Sequence, residues 1–459
     1  MLPVLVAMMM MMMVTGAGAR LAQVQILARH GLRDYYTAEA DASWDDGGVL
    51  SGHGYKAMYD LGEAVRNRYN RSSNDTAASW ARSTDSEAAM MSASAFFLGY
   101  VPPGAGPIDE VTKTAAIPNQ TAPVPVHTVP FFEDILLRAY DKCPTLANAY
   151  DAAYNGDDFA SFRAAYQHEL DFLTAILGRN VTWETFLTEY EILYIRRAFP
   201  DATVFIPEDH WTNMVTMASY IAKVAFTPPE SASLIAGPLV ERMGQDFNQT
   251  AIDGPVAPLV FFSGHYPLVM AVASLLGVYD AGNVAVSIPS PGALIILELE
   301  QDDATGGYHV NVVYHDPEQG STFQAVAPRA CGSTSCRLDQ FLNITSVVGM
   351  DVPFWCQACN SIQTPQCALL AAMNSTGPCA SSDANPVPTA DAAVAFSNKP
   401  FWIALAVGIV LGVVLSVAFV VVLRATKRAC ARREASLIPG FMSRIRGTAT
   451  PSHVEMLPA

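Results

Sequence analysis

Two short stretches concentrate the reactive chemistry of this chain. Arg29-His30-Gly31-Leu32-Arg33 sets a histidine among arginines, and Gly264-His265-Tyr266 supplies a second histidine. Flanking cations lower an imidazole's pKa and hold it in the neutral, nucleophilic form. The same guanidiniums can clamp a phosphoryl group in bidentate fashion. Gly31 lacks a Cβ, so the backbone there can come close to a small anion. Taken singly, each stretch also fits a structural or helix-capping histidine. Together they describe a site that binds phosphate through His30, His265, Arg29 and Arg33, with no metal and no cofactor.

The elements around these stretches put both histidines at strand ends. Residues 22–28 (AQVQILA) read as a short buried strand that ends at Arg29, and 258–263 (PLVFFS) as an apolar strand that ends at Gly264. Helices are expected over 55–69, over 87–98 with Gly99 and Pro102-Pro103 as the stop, and over 266–276. Residues 79–82 end a further strand, and 293–300 with 308–314 read as a pair. Residues 145–225 are strongly helical. The order predicts an α/β fold, a mixed sheet flanked by helices with an inserted helical cap. In open α/β sheets, ligands bind beyond the carboxyl ends of strands.

Charge divides the 459-residue chain. It carries 27 Lys+Arg against 43 Asp+Glu, a net charge of −16. Residues 424–459 hold seven Lys/Arg and two Asp/Glu, a local +5 that leaves −21 on the remainder. An acidic surface argues against nucleic acid as a partner. The apolar run at the start, followed by Ala17 and Ala19, reads as a signal peptide over 1–19. Residues 401–423 contain no charge, and 23 residues of helix at ~1.5 Å each reach roughly 34 Å, enough to span a bilayer. Arg424, Lys427, Arg428, Arg432 and Arg433 follow, so 424–459 is the cytoplasmic tail of one transmembrane helix and 20–358 an external domain. Residues 359–400, rich in Ala, Ser, Thr and Pro, read as a stalk. Seven sequons, at Asn70, Asn74, Asn119, Asn180, Asn248, Asn343 and Asn374, fall in the external part with seven of the eight cysteines. These are marks of a glycosylated, disulfide-bearing ectodomain.

Several motifs in order then resemble the histidine acid phosphatases, in branch 2 of the histidine phosphatase superfamily. Arg29-His30-Gly31-Leu32-Arg33 is similar to the family's R-H-G-x-R-x-P, and Arg82-Ser83-Thr84-Asp85 with Met91-Ser92-Ala93 to its R-S-T-D…M-S-A. Pro125-Val126-His127-Thr128, with Glu133-Asp134 and Leu136-Leu137, matches its P-V-H-T strand. Ser263-Gly264-His265 resembles the segment before its H-D pair, and Cys331, Cys336 and Phe341 a late cysteine element. The resemblance implies two-step hydrolysis of phosphate monoesters. His30 is the nucleophile, and Arg29, Arg33 and His265 hold the phosphate oxygens. It also implies disulfides Cys143–Cys356 and Cys331–Cys336, and a homodimer.

Three positions depart from the family pattern. Asp34 and Tyr35 stand where the first motif ends in proline. Ala88 replaces a phosphate-binding arginine, and Tyr266 replaces the aspartate that protonates the leaving group. Loss of a general acid costs about 10²–10⁴ in rate, and loss of a charge-assisted bond to phosphate roughly 10- to 150-fold. Arg82 and Asp34 are the neighbours expected to compensate. Two functional readings follow. One is a single-pass membrane acid phosphatase of the plasma, endosomal or lysosomal membrane, weakened at Ala88 and Tyr266 and acting on a small phosphorylated substrate. The other is an inactive phosphatase-fold protein that binds an anionic ligand or partner.

Overall fold

The computed structural model describes residues 19–34, 48–70, 78–199, 205–279, 284 and 286–375. The signal peptide expected over 1–19 (Ala19 apart), the stalk beyond 375, the span 401–423 and the tail 424–459 lie outside the described residues. No helix among the described residues is long and apolar enough to cross a membrane.

Eight strands form one mixed sheet: β1 (Ala19–Arg29), β2 (Trp80–Ser83), β3 (Val126–His127), β4 (Leu259–Gly264), β5 (Leu294–Asp302), β6 (Tyr308–Asp316), β7 (Gly320–Val326) and β8 (Ser335–Arg337). The spatial order is β3-β2-β4-β1-β5-β6-β7, with β8 on β6. β3, β2, β4 and β1 run parallel, whereas β5, β6 and β7 follow antiparallel. The parallel part is buried on both faces, as crossover helices demand. Alternate residues of β1 serve the two faces. Val24, Ile26 and Ala28 join Phe261 of β4 against α1 (Gly52–Tyr69) and α2 (Glu87–Tyr100). Gln23, Gln25 and Leu27 face the other way. Both glutamine amides are buried and donate to backbone carbonyls, Gln23 to Ala257 and Gln25 to Met243.

Helix α2 runs two residues past its expected end at 98. Gly99 is an interior packing residue: a Cβ there would meet the Tyr59 carbonyl of α1 at 2.0 Å, and one on Gly62 would meet the Phe96 carbonyl at the same 2.0 Å. The two helices thus cross backbone to backbone through a pair of glycines.

The short α3 (Ile135–Arg138) leads into the cap, built from α4 (Pro144–Tyr154), α5 (Asp157–Leu177), α6 (Phe186–Arg197) and α7 (Glu208–Phe226). Phe159, Leu173, Phe186, Tyr190, Trp211 and Met214 give the cap its own core. The last turns of α7 bury Ala222, Ala225 and Phe226 in the main core. α8 (Pro229–Asp253) and α9 (Tyr266–Leu275) cover the second face of the sheet, followed by α10 (Leu338–Val348), α11 (Val352–Ala358) and α12 (Pro365–Ser375).

The disulfides correct one expectation. Cys143 bonds to Cys359, not Cys356, and Cys356 bonds to Cys367. Cys356 and Cys359 lie one helical turn apart at the end of α11, so both face the same side. Thr145, at the start of α4, donates from its hydroxyl to the Ala358 carbonyl and from its backbone to the Cys359 carbonyl, which seats Cys143 against Cys359. Cys331 bonds to Cys336. The expected stalk boundary at 359 also moves, because 365–375 is helical and its Cys367 is buried and bridged to α11.

Candidate active site

Sheet register brings the two histidines together. β1 and β4 are adjacent and parallel, with Arg29 opposite Gly264. The next residue on each strand is a histidine, so both emerge at one sheet edge. Their rings lie 5.2 Å apart, tilted by 70°. His30 donates its backbone N–H to the Gly264 carbonyl, and its own carbonyl accepts from Gly292.

The tautomer of His30 follows from its contacts. Nδ1 lies 2.8 Å from the Gly31 carbonyl. A carbonyl only accepts, so Nδ1 carries the proton and Nε2 keeps a lone pair. Burial is the largest cause that pushes the imidazole well below its usual range, and the neighbouring His265, Arg29 and Arg33 push it further the same way. His30 is therefore a neutral base with Nε2 as its reactive atom.

The arginines of the first motif are buried. Arg29 donates from Nη1 to the Pro289 carbonyl at 2.7 Å, and its guanidinium lies 5.1 Å from the centroid of the Tyr266 ring. Tyr266 thus packs against Arg29, with Phe226 edge-on to its ring. Burial works against the Arg29 charge, but Glu191 and nearby tyrosines outweigh it and the net shift is upward. Glu191 comes from the cap helix α6. Its Oε1 lies 2.5 Å from Arg29 Nη2 and 3.4 Å from Arg33 Nη2, so one buried carboxylate spans both guanidiniums.

Two groups converge on Nε2 of His265. Thr84, just beyond β2, places its hydroxyl 3.1 Å away, and Arg138 at the end of α3 places Nη1 at 3.2 Å. Since a guanidinium only donates, Nε2 accepts from Arg138. Asp141 holds the other side of that guanidinium, with contacts of 2.7 Å to Nε and 2.6 Å to Nη2. Ala88 is buried in the first turn of α2. Its carbonyl accepts from Ser92 Oγ, which accepts from the Gly31 N–H. Position 88 is thereby two hydrogen bonds from the loop that carries His30.

Arg82 turns away from the histidines and pairs with buried Asp134 at 2.5 Å. It faces a separate cavity with Val129, Glu133, Pro238 and Arg242. Asp34 is partly buried and bonds through its backbone N–H to the Val49 carbonyl. Asn70, Asn119, Asn180, Asn248 and Asn343 are exposed, whereas Asn74 lies outside the described residues. No group of three or more His, Cys, Asp or Glu among the described residues could hold a metal ion.

Glu191 and Arg138 escape a reading of the sequence. Glu191 is one of several charged positions on an amphipathic cap helix. Arg138 follows directly on the Leu136-Leu137 motif, which is the only signal near it.

A family model described as "Histidine phosphatase superfamily (branch 2)" matches residues 33–315. The Bos taurus protein named "Lysosomal acid phosphatase" is 26% identical over 358 residues, covering 73% of this chain and 79% of the relative. The Rattus norvegicus "Prostatic acid phosphatase" is 24% identical over 375 residues, covering 77% of this chain and 93% of the relative. The phytase structure from Citrobacter braakii superposes with TM-score 0.53 at 16% identity, covering 74% of this chain and 99% of that one. The apo phytase from Hafnia alvei gives 0.54 at 14% identity, covering 75% and 99%. At these identities the two structures speak for the fold.

Proposed function

Because the chain belongs to branch 2 of the histidine phosphatase superfamily, we propose that it is an acid phosphatase that hydrolyses phosphate monoesters through a phosphohistidine at His30. The observation that carries this reading is the buried, neutral His30, with its proton fixed on Nδ1 by the Gly31 carbonyl. Nε2 attacks phosphorus, the N–P bond forms, and the ester P–O bond breaks with its electron pair leaving on oxygen. Water then attacks phosphorus, the N–P bond breaks, and phosphate departs. Arg29, Arg33 and His265 stabilise the charge that develops on the phosphoryl oxygens.

The leaving oxygen needs a proton that an ordinary phenol with pKa near ~10 supplies poorly. Tyr266 packs against Arg29 where the resembled pattern has an acid. Esters with good leaving groups, such as aryl phosphates, should therefore turn over much faster than alkyl ones. The exposed sequons, the disulfides and the unbroken apolar run 401–423 support a glycosylated type I membrane protein of the plasma membrane or endolysosomal membranes. The small phosphorylated substrate would be met outside the cytoplasm.

A second reading, an anion-binding protein without turnover, draws support from Ala88 and Tyr266. Detergent-solubilised full-length protein, assayed near pH 5 for phosphate release from aryl and alkyl esters, separates the two. Release from the aryl ester that His30→Ala abolishes, with phosphate trapped on His30 by rapid quench, is the expected result. Absence of any His30-dependent release leaves only the second reading standing.

A further inference from the structure

We infer that Arg138 is a phosphate-binding residue that brings back, from a different element, the positive charge missing at Ala88. The inference rests on the anion site between His30 and His265 proposed above. Ala88 sits beside the nucleophile's loop through the chain Gly31 N–H, Ser92 Oγ and Ala88 carbonyl. The resembled pattern carries an arginine at position 88, and the methyl group found there brings no charge to this loop. Arg138 approaches His265 of that pair from α3.

Three features suit Arg138 to this role. Its side chain is 1% exposed, so its charge is screened little by water. Asp141 holds Nε and Nη2, and the Phe131 ring lies 4.4 Å from the guanidinium carbon, so the planar group is fixed before any ligand arrives. That clamp leaves Nη1 on Nε2 of His265, 3.2 Å away. In that contact a cation donates to a neutral acceptor. A phosphoryl oxygen in the seat offers a charged acceptor instead, which adds the attraction of opposite charges to the hydrogen bond. Arg138 thus gains by exchanging His265 for the ligand. The exchange also frees Nε2 of His265.

The Asp141 pair by itself would be satisfied by a structural role, so the test must read the ligand. Binding of inorganic phosphate to the full-length protein is measured by titration calorimetry, beside KM and kcat for an aryl phosphate. Arg138→Gln should weaken phosphate binding by about 10- to 150-fold, the worth of one charge-assisted hydrogen bond. KM should rise more than kcat falls. Adding Ala88→Arg to Arg138→Gln should recover most of the binding, which no structural role of Arg138 predicts. Arg138→Met with Asp141→Asn removes the buried cation together with its more exposed partner carboxylate, so that neither charge is left unpaired, and should lose the same affinity if the single variant does not fold. Wild-type phosphate affinity in either variant, or no recovery with Ala88→Arg, overturns the inference. A wild-type protein that binds no phosphate, with Arg33→Ala unchanged from it, instead overturns the anion site itself.

Discussion

His30 shows how a single buried side chain sets a pH range. An imidazole free in water takes a proton near pH 6.5, where an acid phosphatase would lose its nucleophile. Here burial first, and then His265, Arg29 and Arg33, hold the ring neutral to much lower pH. The acid limb of kcat/KM for an aryl phosphate should therefore lie well below 6.5. A limb at 6.5 would mean that His30 is solvated or is not the nucleophile. The same shift acts on stability. Between pH 6.5 and the lowered value the unfolded chain binds a proton at position 30 that the native protein refuses. This contribution to stability is complete above about 6.5 and is lost as pH falls through the window. His30→Asn should flatten that part of the stability profile.

At the scale of elements, the cap meets the sheet through a carboxylate. Helix α6 delivers Glu191 onto Arg29 and Arg33, both at or just past the end of β1. An incoming phosphate must share those guanidiniums with it or displace it. Glu191→Gln should tighten phosphate binding while lowering the stability of the ligand-free protein, by about 3–5 kcal/mol for a broken buried pair. Saturating phosphate should restore much of the loss through binding linkage. Thermal unfolding with and without phosphate checks both signs, and a variant that binds phosphate more weakly would make Glu191 a support for the arginines instead of a competitor. How much of this was legible depends on the element. His30 and His265 could be read because each follows an apolar strand, and two adjacent parallel strands leave their ends side by side. The helical cap could be read from its length and periodicity. Glu191 could not, because Glu189 lies two residues away on the same helix and is also buried, yet pairs with Arg179. Spacing does not tell which carboxylate faces the sheet. Gly99 has the composition of a stop and the position of a helix crossing, and only the packing of α1 on α2 decides. The cysteine pairing failed for a similar reason: one helical turn separates the two candidates for Cys143.

At the scale of the whole molecule, the disulfides and the charge asymmetry point to the same compartment. Cys143–Cys359 spans 216 residues and ties the start of the cap to the end of the domain. A crosslink over so long a loop is worth about 5 kcal/mol in the chain-entropy model, against typical measured losses of 2–5 kcal/mol. That is a large share of the 5–15 kcal/mol that holds an ordinary domain together. Such bonds persist in the secretory pathway and are reduced in the cytosol. The domain should therefore fold well only where it can oxidise. Expressed with residues 1–19, the proposed signal peptide, the chain should carry glycans at exposed asparagines such as Asn119, Asn180 and Asn343, and should lose mass on deglycosylation. Expressed without residues 1–19 in the cytosol, it should stay reduced and unfold several degrees lower. Cys143→Ala with Cys359→Ala, made in the secretory pathway, should reproduce the lower unfolding temperature while keeping the glycans. On the proposed topology, an epitope placed after Lys427 should be reached by antibody only after permeabilisation, because the basic residues from Arg424 to Arg433 would keep that end inside. A reduced cytosolic form as stable as the oxidised one would remove the disulfides from this argument. A tail exposed on intact cells would reverse the topology on which the proposed compartment of the substrate depends.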